Sequence, residues 1–123
     1  MNVKFTGSTG EIIRININGD STAANYPTVD ALGTGSAKQS NTDNRRFGYL
    51  GDEESAITAQ FMDYSATDKH KTFLTRSGSS GYRTAMTAGR WANTAAITTI
   101  QLSLDSGNYA ADTTFSLWGS NRL

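Results

Sequence analysis

The one histidine of the chain, His70, is where any nucleophile-histidine-carboxylate relay would have to pass. It stands in Asp68-Lys69-His70-Lys71, a hydrophilic run leading into a predicted strand, and reads as a surface or hydrogen-bonded structural group. No serine sits in a G-x-S-x-G turn of the kind that exposes a nucleophile. The densest carboxylate run is Asp52-Glu53-Glu54, which could hold calcium or serve as a paired acid and base. Consecutive residues of an extended chain point to different sides, however, and the alternating oxygen ligands of a calcium loop are absent, so this run reads as a solvated turn. Asn18-Gly19-Asp20 reads first as a tight turn and second as part of a metal site. With no cysteine, neither a thiolate metal site nor a disulfide framework can form. No glycine-rich segment opens a helix, so phosphate cradling has no support either. The expectation is therefore no catalytic residue, no metal and no cofactor.

Aromatic side chains are the remaining resource: five Tyr, five Phe and two Trp in a neutral, Asn- and Thr-rich setting could offer stacking faces for sugar rings. Phe61, Phe73 and Phe115 fall on predicted inward faces, and Trp91 and Trp118 flank the strongest strands, so most of these read as core. Tyr26, Tyr49, Tyr82 and Tyr109 lie near loops and are the candidate binding residues for a ligand or partner.

The elements that would carry these groups are strands. Hydrophobic residues make up 37% of the chain, twelve residues are glycine, and apolar positions nowhere recur at helical spacing for three turns. Period-two alternation is clear instead at residues 11–18, where Ile13, Ile15 and Ile17 alternate with Arg14, Asn16 and Asn18. Residues 55–63 repeat it with Ile57, Ala59 and Phe61, and residues 98–105 with Ile100, Leu102 and Leu104. Weaker strands are predicted at 3–6, 45–50, 71–77, 82–88 and 114–118, bounded by turn-formers such as Gly7-Ser8-Thr9-Gly10 and Ser77-Gly78-Ser79. Residues 21–44 show no strand pattern and are expected to form a long loop anchored by Tyr26, Val29 and Leu32. The fold expected is all-β: an antiparallel β-sandwich, jelly-roll-like, of about eight short strands in a single domain over residues 1–123.

Charge narrows the partners. Eleven basic residues balance eleven acidic ones, which leaves no electrostatic footprint for a phosphate backbone or an anionic lipid surface. The amino end has no apolar run behind its lysine, and no stretch approaches a membrane span, so neither export nor membrane insertion nor nucleic-acid binding is expected.

The carboxyl-terminal part carries a family likeness. Gly89-Arg90-Trp91-Ala92-Asn93-Thr94-Ala95-Ala96-Ile97-Thr98-Thr99-Ile100, then Leu102, Ser106-Gly107-Asn108-Tyr109 and Thr114-Phe115-Ser116-Leu117-Trp118-Gly119, resembles the closing strands of a family of phage virion domains. Arg14-Ile15-Asn16-Ile17-Asn18-Gly19-Asp20, followed by Asn25-Tyr26, resembles an earlier strand of that family, and Ile57 to Tyr64 another. Such domains occur in decoration, tail-fibre and other structural proteins of marine phages and cyanophages. The resemblance implies a non-enzymatic virion part, made in the host bacterial cytoplasm, with no catalytic residues to carry over. Family members usually have a further strand ahead of the position matched by residues 3–6, which predicts an open sheet edge there. An open edge recruits another chain, so the expected partners are the chain itself, as a homo-oligomer and by analogy a trimer, and phage capsid or tail proteins. The function implied first is a capsid decoration or cement protein on the head exterior. The alternative is a receptor-binding tail-fibre or knob tip that meets a host surface glycan, favoured by the long loop. A glycan depolymerase is disfavoured, because hydrolysis needs two positioned carboxylates.

Overall fold

The computed structural model describes residues 11–51, 54–81, 83–111 and 113–119 in full and residues 2–5 by their backbone. Tyr82, Asp52, Glu53 and the turn at residues 7–10 lie outside the described residues. Among the described residues ten strands form two antiparallel sheets: β1 (Asn2–Phe5), β2 (Ile12–Ile17), β3 (Pro27–Gly33), β4 (Lys38–Asn44), β5 (Arg46–Tyr49), β6 (Ser55–Met62), β7 (Lys71–Ser79), β8 (Thr84–Trp91), β9 (Ile100–Leu104) and β10 (Thr114–Ser116). The large sheet has the order β10-β1-β6-β7-β8-β3-β4 and the small one β5-β2-β9. The expected all-β antiparallel sandwich is present, and every predicted strand has a counterpart within a few residues.

The two sheets meet through the alternation seen in the sequence. Ile13, Ile15 and Ile17 of β2 point into the interior, where they meet Phe47 of β5, Ile57 and Ala59 of β6, Phe73 of β7 and Trp91 of β8. Phe47, Phe61 and Phe73 form a ring trio with centroids 5.7–6.1 Å apart. Gly89 makes this possible, because it faces Phe73 across β7 and β8, and a Cβ there would come within 2.1 Å of the ring. Leu102 and Leu104 of β9 close the far side half-buried.

Two expectations are corrected. Residues 21–44 are not a long loop: after a single 3₁₀ turn (Ala23–Asn25) they form the β3–β4 hairpin, paired over its whole length from Pro27↔Asn44 to Gly33↔Lys38. The alternation was hidden because β3 turns Thr28, Asp30 and Leu32 inward and leaves Val29 and Ala31 outside, while β4 is polar throughout. The buried carboxylate of Asp30 is tolerated because Arg46 pairs with it at 2.9 Å and the Tyr49 hydroxyl donates to it at 2.6 Å. Nor is β1 an open edge, since it lies between β10 and β6 and pairs with both. Among the described residues the large sheet ends instead at β4 and β10.

Candidate binding groove

Of the four tyrosines singled out by sequence, the fold buries two. Tyr26 is fully enclosed; its hydroxyl donates to the Asp20 carbonyl at 2.7 Å and accepts the Ile17 N–H at 2.9 Å. Tyr49 lies between the guanidinium groups of Arg46 and Arg83, and burial together with its bond to Asp30 pushes its hydroxyl up to about 12. Both of these candidate binding residues have their rings in the core, because a ring near a turn in sequence still buries when its hydroxyl finds a fixed partner. Tyr109 is half-buried with its ring edge-on to Phe115 at 5.3 Å, and burial raises its hydroxyl to about 12. Phe115 and Trp118, expected in the core, are exposed, whereas Trp91 is buried as expected.

The Asn18-Gly19 turn has the form predicted for it. Both residues have positive φ, at 52° and 75°, and the Asp20 N–H closes onto the Ile17 carbonyl at 2.9 Å. The Asp20 carboxylate accepts from Trp91 Nε1 at 2.9 Å, Asn25 Nδ2 at 2.8 Å and the Thr22 N–H at 2.9 Å. The Trp91 bond, followed by that from Asn25, holds it down at about 2. Those bonds are structural and tie the turn to β8. A second polar network joins the sheets at the other side, where Arg14 grips Asp105 with two bonds of 2.8 and 3.0 Å and reaches Asp43 at 3.0 Å. Asp43 also pairs with Arg46, and Arg14 donates to the Asn44 carbonyl at 2.8 Å, so the network continues into β5 and β4. His70 is exposed.

The site that stands open is one that sequence reasoning missed. Among the described residues β1 runs beside β6 from Ser55 to Thr58, and past Thr58 the flank of β6 borders a groove of about 460 Å³. Ala59 to Met62 form one wall and Leu117, Trp118 and Gly119, just after β10, form the other. Ile97 and Ile100 floor it, Thr98 and Thr99 rim it, and Tyr64 closes one end. Two flat rings stand out: Trp118 is 63% and Tyr64 41% exposed. The threonine rim is held in place by Asn18. Its Oδ1 accepts the N–H groups of Thr98 (2.8 Å) and Thr99 (3.1 Å) and the Thr98 hydroxyl (3.0 Å), while its Nδ2 donates to the Ala96 carbonyl at 2.8 Å. The Ile97 N–H donates to the Tyr64 carbonyl at 2.7 Å, which locks rim and end wall together. None of the described lining residues is an Asp, Glu, Lys, Arg or His.

No protein-family model, curated protein or solved structure matches this chain. Its function must therefore be argued from its own surfaces. The described lining can offer apolar stacking, hydroxyl contacts and a rim held in place by Asn18. A sequence signal for the groove existed in the isolated aromatics that follow strand ends, Tyr64 after β6 and Trp118 after β10, but the place of Trp118 beside a predicted strand read as core.

Proposed function

We propose that this chain is a non-enzymatic bacteriophage virion structural protein, a capsid decoration or cement protein that docks on the head exterior. The observation that carries the proposal is the outer face of the large sheet. Val29, Met86 and Leu74, on neighbouring strands β3, β8 and β7, are all about half exposed, with Ala31 and Ala88 completing the strip between them. They border a shallow trough of about 510 Å³, bounded by Thr58, Gln60 and Arg76. A sheet face of this kind loses solvated apolar area on contact with another protein, and a face, unlike a cleft, suits bridging between neighbouring subunits. The order of the sequence motifs, which resembles that of phage virion domains, supports the same reading. A stable contact needs on the order of 1,000 Å² of total buried surface, so the polar surroundings of the strip must take part.

Self-association fits the other feature of this sheet. Among the described residues β4 pairs only with β3, and its seven-residue outer edge offers backbone donors and acceptors to a second copy. A homo-oligomer through that edge, by analogy a trimer, would present several sheet faces to the shell at once. Mass measurement in solution tests it, and a monomer at every concentration would remove this part of the proposal.

Docking is tested by mixing labelled protein with purified heads stripped of decoration and, separately, with host cells. Binding to heads that is lost in Met86→Lys is the expected outcome. Binding to cells with none to heads would replace this reading with the alternative, a receptor-binding tail-fibre or knob tip. The specific observation in favour of that alternative is the aromatic groove; the long loop that first suggested it is a paired hairpin.

A further inference from the structure

We infer that the groove between β6 and the segment after β10 is a binding site for a neutral saccharide chain, whose pyranose rings stack on Trp118 and Tyr64. Three features of the groove choose this class of ligand. Its described lining holds no ionisable side chain other than Tyr64, so a phosphate, a carboxylate or a cationic ligand would be desolvated with no counter-charge to meet it. A saccharide without charge avoids that cost.

The second feature is the pairing of flat and polar surface. A pyranose has one face of C–H bonds that covers an aromatic ring and a rim of hydroxyls that needs hydrogen-bond partners. Trp118 and Tyr64 supply exposed rings, and Gln60, Thr98 and Thr99 supply polar groups along the same groove. The other tryptophan, Trp91, has its indole N–H committed to Asp20 and its ring in the core, so exposure at Trp118 is a property of that place in the fold.

The third feature is preorganisation. Asn18 fixes residues 96–99 with three accepted bonds and one donated bond, and the Ile97–Tyr64 backbone bond fixes the end wall, so the rim does not have to be ordered when a ligand arrives. Asn18 is thus a positioning residue, which gives the positive-φ turn a purpose beyond reversing the chain. The groove volume of about 460 Å³ lies in the range of small-ligand sites, enough for a short stretch of a longer polysaccharide.

This inference does not rest on docking to a phage head, and the two can fail separately. The test is a titration of the full chain with short oligomers of glucose, mannose, galactose and N-acetylglucosamine, followed by calorimetry, which reads wild type and tryptophan variants alike. Saturable change on at least one oligomer is expected, weakened about tenfold or more in Trp118→Ala. Asn18→Gly tolerates the positive φ but removes the amide, and should weaken binding as well; Asn18→Asp keeps the accepting oxygen and should restore most of it. Circular dichroism and Trp91 emission confirm that each variant is folded. Failure of every oligomer to bind, or equal binding by wild type and Trp118→Ala, overturns the inference. So does a groove whose Trp118→Ala variant loses binding to heads or to a second copy while no saccharide binds, since the occupant is then a polypeptide. Docking to heads that depends on Met86 and survives Trp118→Ala would leave both readings standing together.

Discussion

Two tyrosine–tryptophan pairs in this molecule have the same composition and opposite surroundings. Tyr26 and Trp91 are enclosed, and both reach the same residue: the tyrosine hydroxyl meets the backbone carbonyl of Asp20 and the indole N–H meets its carboxylate. Tyr64 and Trp118 stand in the open with their rings available. Aromatic content therefore does not separate core from surface; in the enclosed pair a fixed partner for the polar tip accompanies burial. Where the fold provides that partner the ring is buried with it, and a ring that stays at the surface can serve a ligand.

The comparison is broken most directly at Trp91. Trp91→Ala empties a large, closed site and leaves Asp20 without its strongest donor, so the expected loss is about 3–5 kcal/mol of stability, measured by the denaturant midpoint. Next comes the buried pair at the opposite side of the core. Asp30→Ala takes one of the two carboxylates paired with the mostly enclosed Arg46, which keeps Asp43, and leaves the buried Tyr49 hydroxyl without its acceptor, so a loss of about 1–3 kcal/mol is expected. A double-mutant cycle with Tyr49→Phe should show the two sites coupled, since the Tyr49 hydroxyl donates to the same carboxylate. Gly89→Ala probes the ring trio from the backbone side. Its Cβ would overlap Phe73, so overpacking of about 1–3 kcal/mol is expected, and Gly89→Ala combined with Phe73→Leu should recover part of it.

Much of this architecture was legible in the sequence and some was hidden for physical reasons. The alternation of Ile13, Ile15 and Ile17 announced both a strand and its inward face, because an apolar side chain on a half-buried strand has only one place to go. The same rule failed on β3, where Asp30 occupies an inward position whose neutralising partners, Arg46 and Tyr49, are sixteen and nineteen residues away. It failed on β4 because a polar edge strand has no apolar face to report. The Asn18-Gly19 turn was readable, since positive φ at both positions demands those residue types. Its further task of holding residues 96–99 was not, as the contact spans about eighty residues of chain. The groove was hidden for the same reason: its walls come from β6, from the segment before β9 and from the segment after β10, which only the sheet order brings together.

Acid sharpens the contrast at Asp20. Its carboxyl is held at about 2, below the ordinary value of 3.8, so its bonds contribute in full above about pH 4. That contribution is lost as the pH falls through about 2, because the native state must then take up a proton that the unfolded chain has already bound. The carboxylate is only partly buried, so the effect is smaller than those of the core substitutions. Stability measured against pH should fall between about 4 and 2, and the fall should flatten in Asp20→Asn, which cannot lose a charge and has only one oxygen left to accept. An unchanged slope in that variant would mean that other carboxylates carry the acid response.

The smallest expected effect on stability is the most telling one. Trp118→Ala removes as large a side chain as Trp91→Ala, yet it should change the unfolding free energy by no more than about 0.5 kcal/mol, because an exposed ring beyond the last strand gains little from the fold. Equal side chains with a several-fold difference in cost would locate the indole of Trp118 outside the cooperative core. A large chromophore kept in water at no benefit to stability is what a surface held ready for another molecule requires. If Trp118→Ala instead destabilises the chain by more than about 2 kcal/mol, the ring is covered in solution by the protein itself, and the groove it borders is part of the interior.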